Sequence, residues 1–304
     1  MVEEFWRAEQ SIVIRYAVLS KAELEARVDA VDAGWRTRAA TRRNAFIAAG
    51  KFQEDASIWS DVKTVFMDLQ HDKCVFCERV LGGKLTGKSE HDVEHFRPKG
   101  RVTNWPYPKR TPKLTYAFGT GVPSNTGYYW LAYDVENYAC ACKGCNSDRK
   151  RDYFPILGPR GVATTDIATL NASETPLLLF PHGSLGDNPE LFITFEGVIA
   201  KPIHATGLEK IRAQVTIDFF SLNDREELLA DRARVIRELF KTIRLTSDQD
   251  PAVQSAAYRD IDTITSNLSP QAACARAYLA LAKTTPQKAW EIYLDVDRYL
   301  KPAR

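Results

Sequence analysis

Cys142-Lys143-Gly144-Cys145 repeats the spacing of Cys74-Val75-Phe76-Cys77, with 64 residues between the two pairs. Two intervening residues let both sulfurs of a pair face one ion at ~2.3 Å, and a second pair completes the tetrahedron that zinc prefers. A single C-x-x-C suits a redox dithiol. Two of them in a chain with six cysteines predict a closed structural zinc site held by Cys74, Cys77, Cys142 and Cys145. A reducing compartment favours that metal over disulfides. Cys140 stands two residues before Cys142. A tetrahedral site has no room for a fifth thiolate, so Cys140 is expected to pack in the core. Cys274 lies in an Ala-rich helical segment and is expected to do the same.

Between the pairs runs Glu90-His91-Asp92-Val93-Glu94-His95-Phe96-Arg97-Pro98-Lys99, an acidic and histidine cluster that turns basic at once. Phosphodiester cleavage needs these residue types: a carboxylate for a divalent metal, a neutral imidazole to take a proton from water, and cations against phosphate. An unperturbed histidine, with a pKa near ~6.5, is a usable base at neutral pH. From Phe96 to Tyr133 there is no Asp or Glu, while Arg97, Lys99, Arg101, Lys109, Arg110 and Lys113 accompany several aromatics. Such a field attracts polyanions. The aromatic block Tyr128-Tyr129-Trp130-Leu131-Ala132-Tyr133 is expected to be core that supports this region. His71, His91, His182 and His204 are assigned no catalytic role.

Downstream, Glu136-Asn137-Tyr138 precedes the second pair, which continues into Asn146-Ser147-Asp148-Arg149-Lys150-Arg151-Asp152-Tyr153-Phe154-Pro155. An acid-His pair, an Asn before a C-x-x-C and Cys-Asn after it resemble HNH endonucleases of the ββα-metal fold. Glu94-His95-Phe96-Arg97-Pro98-Lys99, Tyr129-Trp130-Leu131-Ala132-Tyr133 and Phe154-Pro155 are similar to the HNH nuclease subunit of Septu-type and retron-associated anti-phage defence systems. The motifs lie between residues 74 and 155, and weaker similarity reaches Asp187-Asn188-Pro189-Glu190 and the segment from Thr216 to Arg232.

The resemblance implies that His95 is the general base, that Asn137 orients the site, and that Asn146 stands where the third motif residue is often His. Asn146 and Glu94 would then hold a catalytic Mg2+ or Mn2+, since amide and carboxylate oxygens suit hard cations. Asp92 is the second choice of carboxylate, because alternate residues of a strand share a face. Arg97 and Lys99, with Arg149 or Lys150, would contact nucleic acid, DNA before RNA. The resemblance also implies an ATPase partner subunit, with the helical regions before residue 70 and after residue 207 as docking surfaces. A zinc-stapled surface that grips nucleic acid or a partner without cutting also accounts for the cysteines and the basic run. It leaves the order of Glu94-His95, Asn137 and Asn146 unexplained.

Around this centre the chain of 304 residues reads as α+β, a zinc-stapled ββα-metal module embedded between helical regions. Residues 1–70 are expected to be helical, with Leu24, Val28 and Val31 on one stripe, Ala45-Phe46-Ile47 on a second helix ending at Gly50, and Ile58 to Leu69 on a third. Residues 71–160 form the nuclease module. Residues 161–304 begin with a hairpin turning at Gly197 and continue as helices over Leu208–Phe220, Leu228–Leu245 and Ala272–Leu281, with Ser221 to Glu226 as a cap for the second. Forty-one basic and 39 acidic residues leave a net charge of +2, which by itself is silent about partners. No apolar run approaches the ~18 residues a membrane span needs. The first residues do not resemble a secretory signal, so a cytoplasmic protein is expected.

Overall fold

The structure, a computed structural model, describes residues 19–82, 91–107, 111 and 113–301. Lys109 and Arg110 of the basic run lie outside the described residues, as do the first 18 residues of the expected helical region. The described residues are mainly helical, with two small two-stranded sheets.

Helix α1 (Lys21–Val31) starts at a capping box, in which the Glu23 amide donates to Ser20 Oγ and the Ser20 amide to Glu23 Oε2. Leu24 and Val28 are buried, but Val31 is 49% exposed because the chain turns at Asp32 before that stripe completes. Helix α2 (Trp35–Ala49) ends at Gly50, whose φ of 66° lies in the left-handed region that favours glycine. A 3₁₀ turn, Trp59–Val62, leads into α3 (Lys63–Leu69), which buries Val65, Phe66, Met67 and Leu69. Trp35 fastens α2 to this turn by donating Nε1–H to the Ile58 carbonyl at 2.7 Å.

Strand β1 (His91–His95) pairs antiparallel with β2 (Tyr138–Cys142), His91 facing Cys142 and His95 facing Tyr138. All five residues of β2 are buried, which is why it reads Tyr-Ala-Cys-Ala-Cys without polar alternation. A single turn, α4 (Lys143–Cys145), follows, and the chain then widens into a π-helical turn, Asn146–Lys150. The aromatic block from Tyr128 to Tyr133 is buried throughout, as expected. Helix α5 (Ile167–Glu174) comes next, capped by Asp166.

The second sheet joins β3 (Ile193–Glu196) to β4 (Ile199–Pro202) through a turn at Gly197, which has a φ of 59°. Helices α6 (Gly207–Phe219), α7 (Glu226–Leu245), α8 (Pro251–Thr265), α9 (Ala272–Thr284) and α10 (Pro286–Tyr299) complete the chain. Apolar spacing did not disclose α8 or α10. Helix α8 buries only Ala257 and Ile261, and α10 only Ala289 and Val296, so each stripe is thin. Their residual signal is a proline in the first turn, where its missing N–H costs nothing.

The expected cap before α7 is absent: Arg225 takes the N-cap position and makes no side-chain cap. Asn223 instead pairs with β4, donating to the Ala200 carbonyl and accepting from the Ala200 amide at 2.9 and 2.8 Å. One core runs from Leu19 to Leu228, joining the first helices, both cysteine pairs and α6. A second core gathers α7 to α10 around Ile236, Leu239, Ile261 and Tyr278. Among the described residues no helix is long and apolar enough to cross a membrane.

Candidate metal centre and active-site cleft

The first cysteine pair follows α3, and the second closes β2 and opens α4, so pairing β1 with β2 in the core carries the two pairs together. The four Sγ atoms of Cys74, Cys77, Cys142 and Cys145 all lie within 4.8 Å of one another and are buried. A tetrahedral zinc with ~2.3 Å bonds sets neighbouring sulfurs about 3.8 Å apart. The Cys77 and Cys142 sulfurs stand at 3.8 Å. The donor set fits a metal such as zinc. Arg225 sends Nη1–H to Cys145 Sγ at 3.2 Å, and a guanidinium there offsets the charge of four thiolates. Cys140 points elsewhere, to the Lys63 carbonyl at 3.7 Å, and Cys274 to the Gly197 carbonyl at 3.5 Å.

Gln70, to which the sequence drew no attention, fastens the first pair to β2. Its Nε2–H donates to the Lys73 and Cys140 carbonyls, and its Oε1 accepts from the Cys140 amide at 2.7 Å. His182 Nε2 stands 3.2 Å from the same Oε1. Burial lowers the His182 pKa from 6.5 to about 4. The folded ring is therefore neutral where the unfolded ring is charged, and its stabilising effect, complete above pH 6.5, is lost as pH falls toward 4. Between pH 7 and 4.5 the wild type is expected to lose about 2.5 kcal/mol of unfolding free energy that His182→Gln does not lose. Urea titrations at both pH values measure this, and parallel losses in the two proteins would refute it.

Beside the metal centre, Glu94, His95 and Asn146 line one cleft of about 450 Å³ together with Phe52, Val93, Pro98, Lys99, Gly100, Arg101, Arg151 and Asp152. His95 ends β1 and is 6% exposed. Its Nε2 lies 3.1 Å from the Ala132 carbonyl, which can only accept, so Nε2 carries the proton and Nδ1 the lone pair. The ring packs edge-on against Trp59 and Tyr138, with centroids 4.8 and 5.0 Å away. Burial first, then the charges of Lys99 and Lys150, hold its pKa well below 6.5, so the ring is neutral at pH 7 and able to accept a proton.

Glu94 is 2% exposed. Its Oε1 stands 3.0 Å from Lys150 Nζ. Burial pushes the carboxyl pKa up and the ammonium pKa down, and each partner's charge opposes the other's shift. Asp92 is half-buried and is not among the described residues that line the cleft.

Asn137 is buried and sits behind the cleft. Its Oδ1 accepts from the Arg97 amide at 2.7 Å, and its Nδ2 donates to the Arg97 and Leu131 carbonyls at 3.0 and 3.2 Å. It thereby ties the exit of β1 to the turn that supplies Ala132. Gly127 lets a neighbouring segment pass this close, since a Cβ there would meet the Pro98 carbonyl at 2.5 Å.

Of the four residues expected to contact nucleic acid, Arg97 and Lys150 are buried and Arg149 is half-buried. Arg97 is 1% exposed; its Nε–H donates to Glu174 at 2.9 Å, its Nη2–H to Asn171 at 2.9 Å, and it stacks on Phe154. With two side-chain acceptors and the Phe154 ring around it, this guanidinium is turned into the core and is not among the residues that line the cleft. Lys150 is fully buried against Glu94, and Arg149 turns back to the Gly144 carbonyl at 2.8 Å. Lys99 does line the cleft, its ammonium 4.5 Å from the Trp59 ring centroid, and burial lowers its pKa. Sequence reasoning did not single out Arg151, Phe52 or Trp59. Arg151 is exposed at a φ of 45°, a conformation that non-glycine residues seldom adopt and that clusters at functional sites.

No family model matches the chain and no solved structure matches it. It is similar to Septu protein PtuB of Bacillus mycoides (strain KBAB4), 28% identical over 213 residues. The match takes in 69% of this chain. It spans 63% of the relative's length, less than two thirds.

Proposed function

We propose that this chain is a metal-dependent HNH endonuclease that hydrolyses phosphodiester bonds, of DNA before RNA, as the effector of a Septu-type anti-phage defence system. The observation that carries the reading is the His95 imidazole. Its Nε2 proton is engaged by the Ala132 carbonyl, its ring is kept neutral, and Nδ1 remains to take a proton in the same cleft as Glu94 and Asn146. The similarity to Septu protein PtuB supports the defence role.

In this reading His95 removes a proton from water, the hydroxide bonds to phosphorus, and the P–O bond opposite breaks. Asn137 positions the base by holding the backbone around it. Lys99 and Arg151 neutralise phosphate charge at the cleft wall. Glu94 and Asn146 would hold the divalent ion through hard oxygen donors, and such an ion, when bound, supplies positive charge for the leaving oxygen. Trp59 limits the swing of the His95 ring. The partner is an ATPase subunit, and the helical surfaces before residue 70 and after residue 207 are where it docks.

The test is cleavage of supercoiled plasmid and of structured RNA by the purified chain, alone and with a copurifying ATPase, in Mg2+, Mn2+ or EDTA. Nicked plasmid in either metal and none in EDTA is expected. Tight, steeply salt-dependent binding with no cleavage under any condition would leave a zinc-stapled binding module in place of the nuclease.

A further inference from the structure

Among the described residues the cleft contains two carboxylates, and this chain already supplies each with a cation. Asp152 is ion-paired with Arg101 at the cleft wall. Glu94 is paired with Lys150 at 3.0 Å, in a setting where the two side chains are 3% and 0% exposed. Lys99 and Arg151 add positive charge, and no further carboxylate lines the cleft among the described residues. Lys150 reaches this place because the turn after the second cysteine pair is a π turn. The Arg151 amide reaches back five residues to the Asn146 carbonyl at 2.8 Å, and the widened turn sends Lys150 inward while Asn146 still lines the cleft. π turns are rare and concentrate at functional sites.

Resting on the nuclease reading above, we propose that Lys150 is the resident counter-cation of Glu94 and gates metal occupancy, so that a divalent ion binds tightly only together with a phosphate anion. A second cation brought to Glu94 meets an ammonium that cannot retreat into solvent, and repulsion between like charges is strong where water is excluded. A phosphate reverses the balance by bringing negative charge to both cations. The arrangement keeps the cleft from loading metal in the absence of nucleic acid, and it makes metal and substrate mutually dependent, since coupling between two ligands is reciprocal.

The experiment is calorimetric titration of the full chain with Mn2+ alone and with Mn2+ in the presence of a short DNA duplex, in a His95→Ala background that prevents cleavage. The duplex is expected to tighten Mn2+ binding about tenfold or more, and the Mn2+ ion to tighten duplex binding by the same factor. Lys150→Met, similar in shape but uncharged, is expected to bind Mn2+ alone about tenfold more tightly and to lose most of the duplex effect, while Lys150→Arg behaves as wild type. Mn2+ affinity indifferent to the duplex overturns the proposal without recourse to a Lys150 variant, and so does a folded Lys150→Met that binds Mn2+ no more tightly. Glu94→Gln separates the two levels. If it leaves Mn2+ binding unchanged in every arm, the ion is not held at Glu94 and the gating proposal fails, whereas the nuclease reading fails only if the chain does not cleave plasmid or RNA in either metal.

Discussion

His95→Ala is expected to lose metal-dependent nicking by about 10²–10⁴-fold while the chain stays folded and keeps its zinc. The chemical part follows from the tautomer. With Nε2–H held by Ala132, the side chain offers one basic nitrogen, and alanine offers none. The structural part follows from what remains. The Ala132 carbonyl still accepts the Tyr138 hydroxyl at 2.6 Å, and Asn137 still ties the backbone on both sides, so the substitution orphans no buried acceptor. Because the His95 pKa lies well below 6.5, the wild-type rate should not fall through protonation of the base between pH 8 and 6.5, and the acid limb should begin lower. Nicking rates against pH, with zinc content and circular dichroism of the variant, measure all three. Wild-type cleavage by the alanine variant would remove His95 from the mechanism.

Cys74→Ser is expected to lose zinc and fold together. The four sulfurs are buried within the main core, between the end of α3 and the end of β2, and a four-thiolate zinc contributes folding free energy outright. Loss of one ligand should cost on the order of 5 kcal/mol or more, comparable with the whole stability of a domain. The expected result is a protein without stoichiometric metal and without a cooperative melting transition. Cys140→Ala is the control. Its sulfur faces the Lys63 carbonyl, so this variant should retain one zinc per chain. The two outcomes together distinguish a metal centre from general packing of small sulfur side chains. An unaltered melt of metal-free Cys74→Ser would falsify the structural role.

The motifs between residues 74 and 155 could be read because their chemistry is local. A C-x-x-C is a complete half-site, Glu94-His95 are adjacent, and Asn146 follows Cys145 directly. Helix α7, with its broad buried stripe, could be read for the same reason. Helices α8 and α10 bury only two residues each, and the sequence reading did not single them out. Arg97 misled because a guanidinium looks the same in sequence whether it meets phosphate or a buried glutamate. Which it meets was set by Glu174 and Asn171, more than seventy residues away.

By itself the sequence determined the donor atoms: four thiolates at matched spacing, a carboxylate beside an imidazole, and an amide beside the last cysteine. Only the tertiary structure decided their states. The proton on His95 Nε2 depends on a carbonyl at Ala132, and a carbonyl leaves no trace in a residue's identity. The pairing of Glu94 with Lys150 depends on a π turn that adds one residue to a helical repeat. Charge, protonation and access are set by what surrounds a group in space, and the surrounding atoms come from segments that only the packed core brings together.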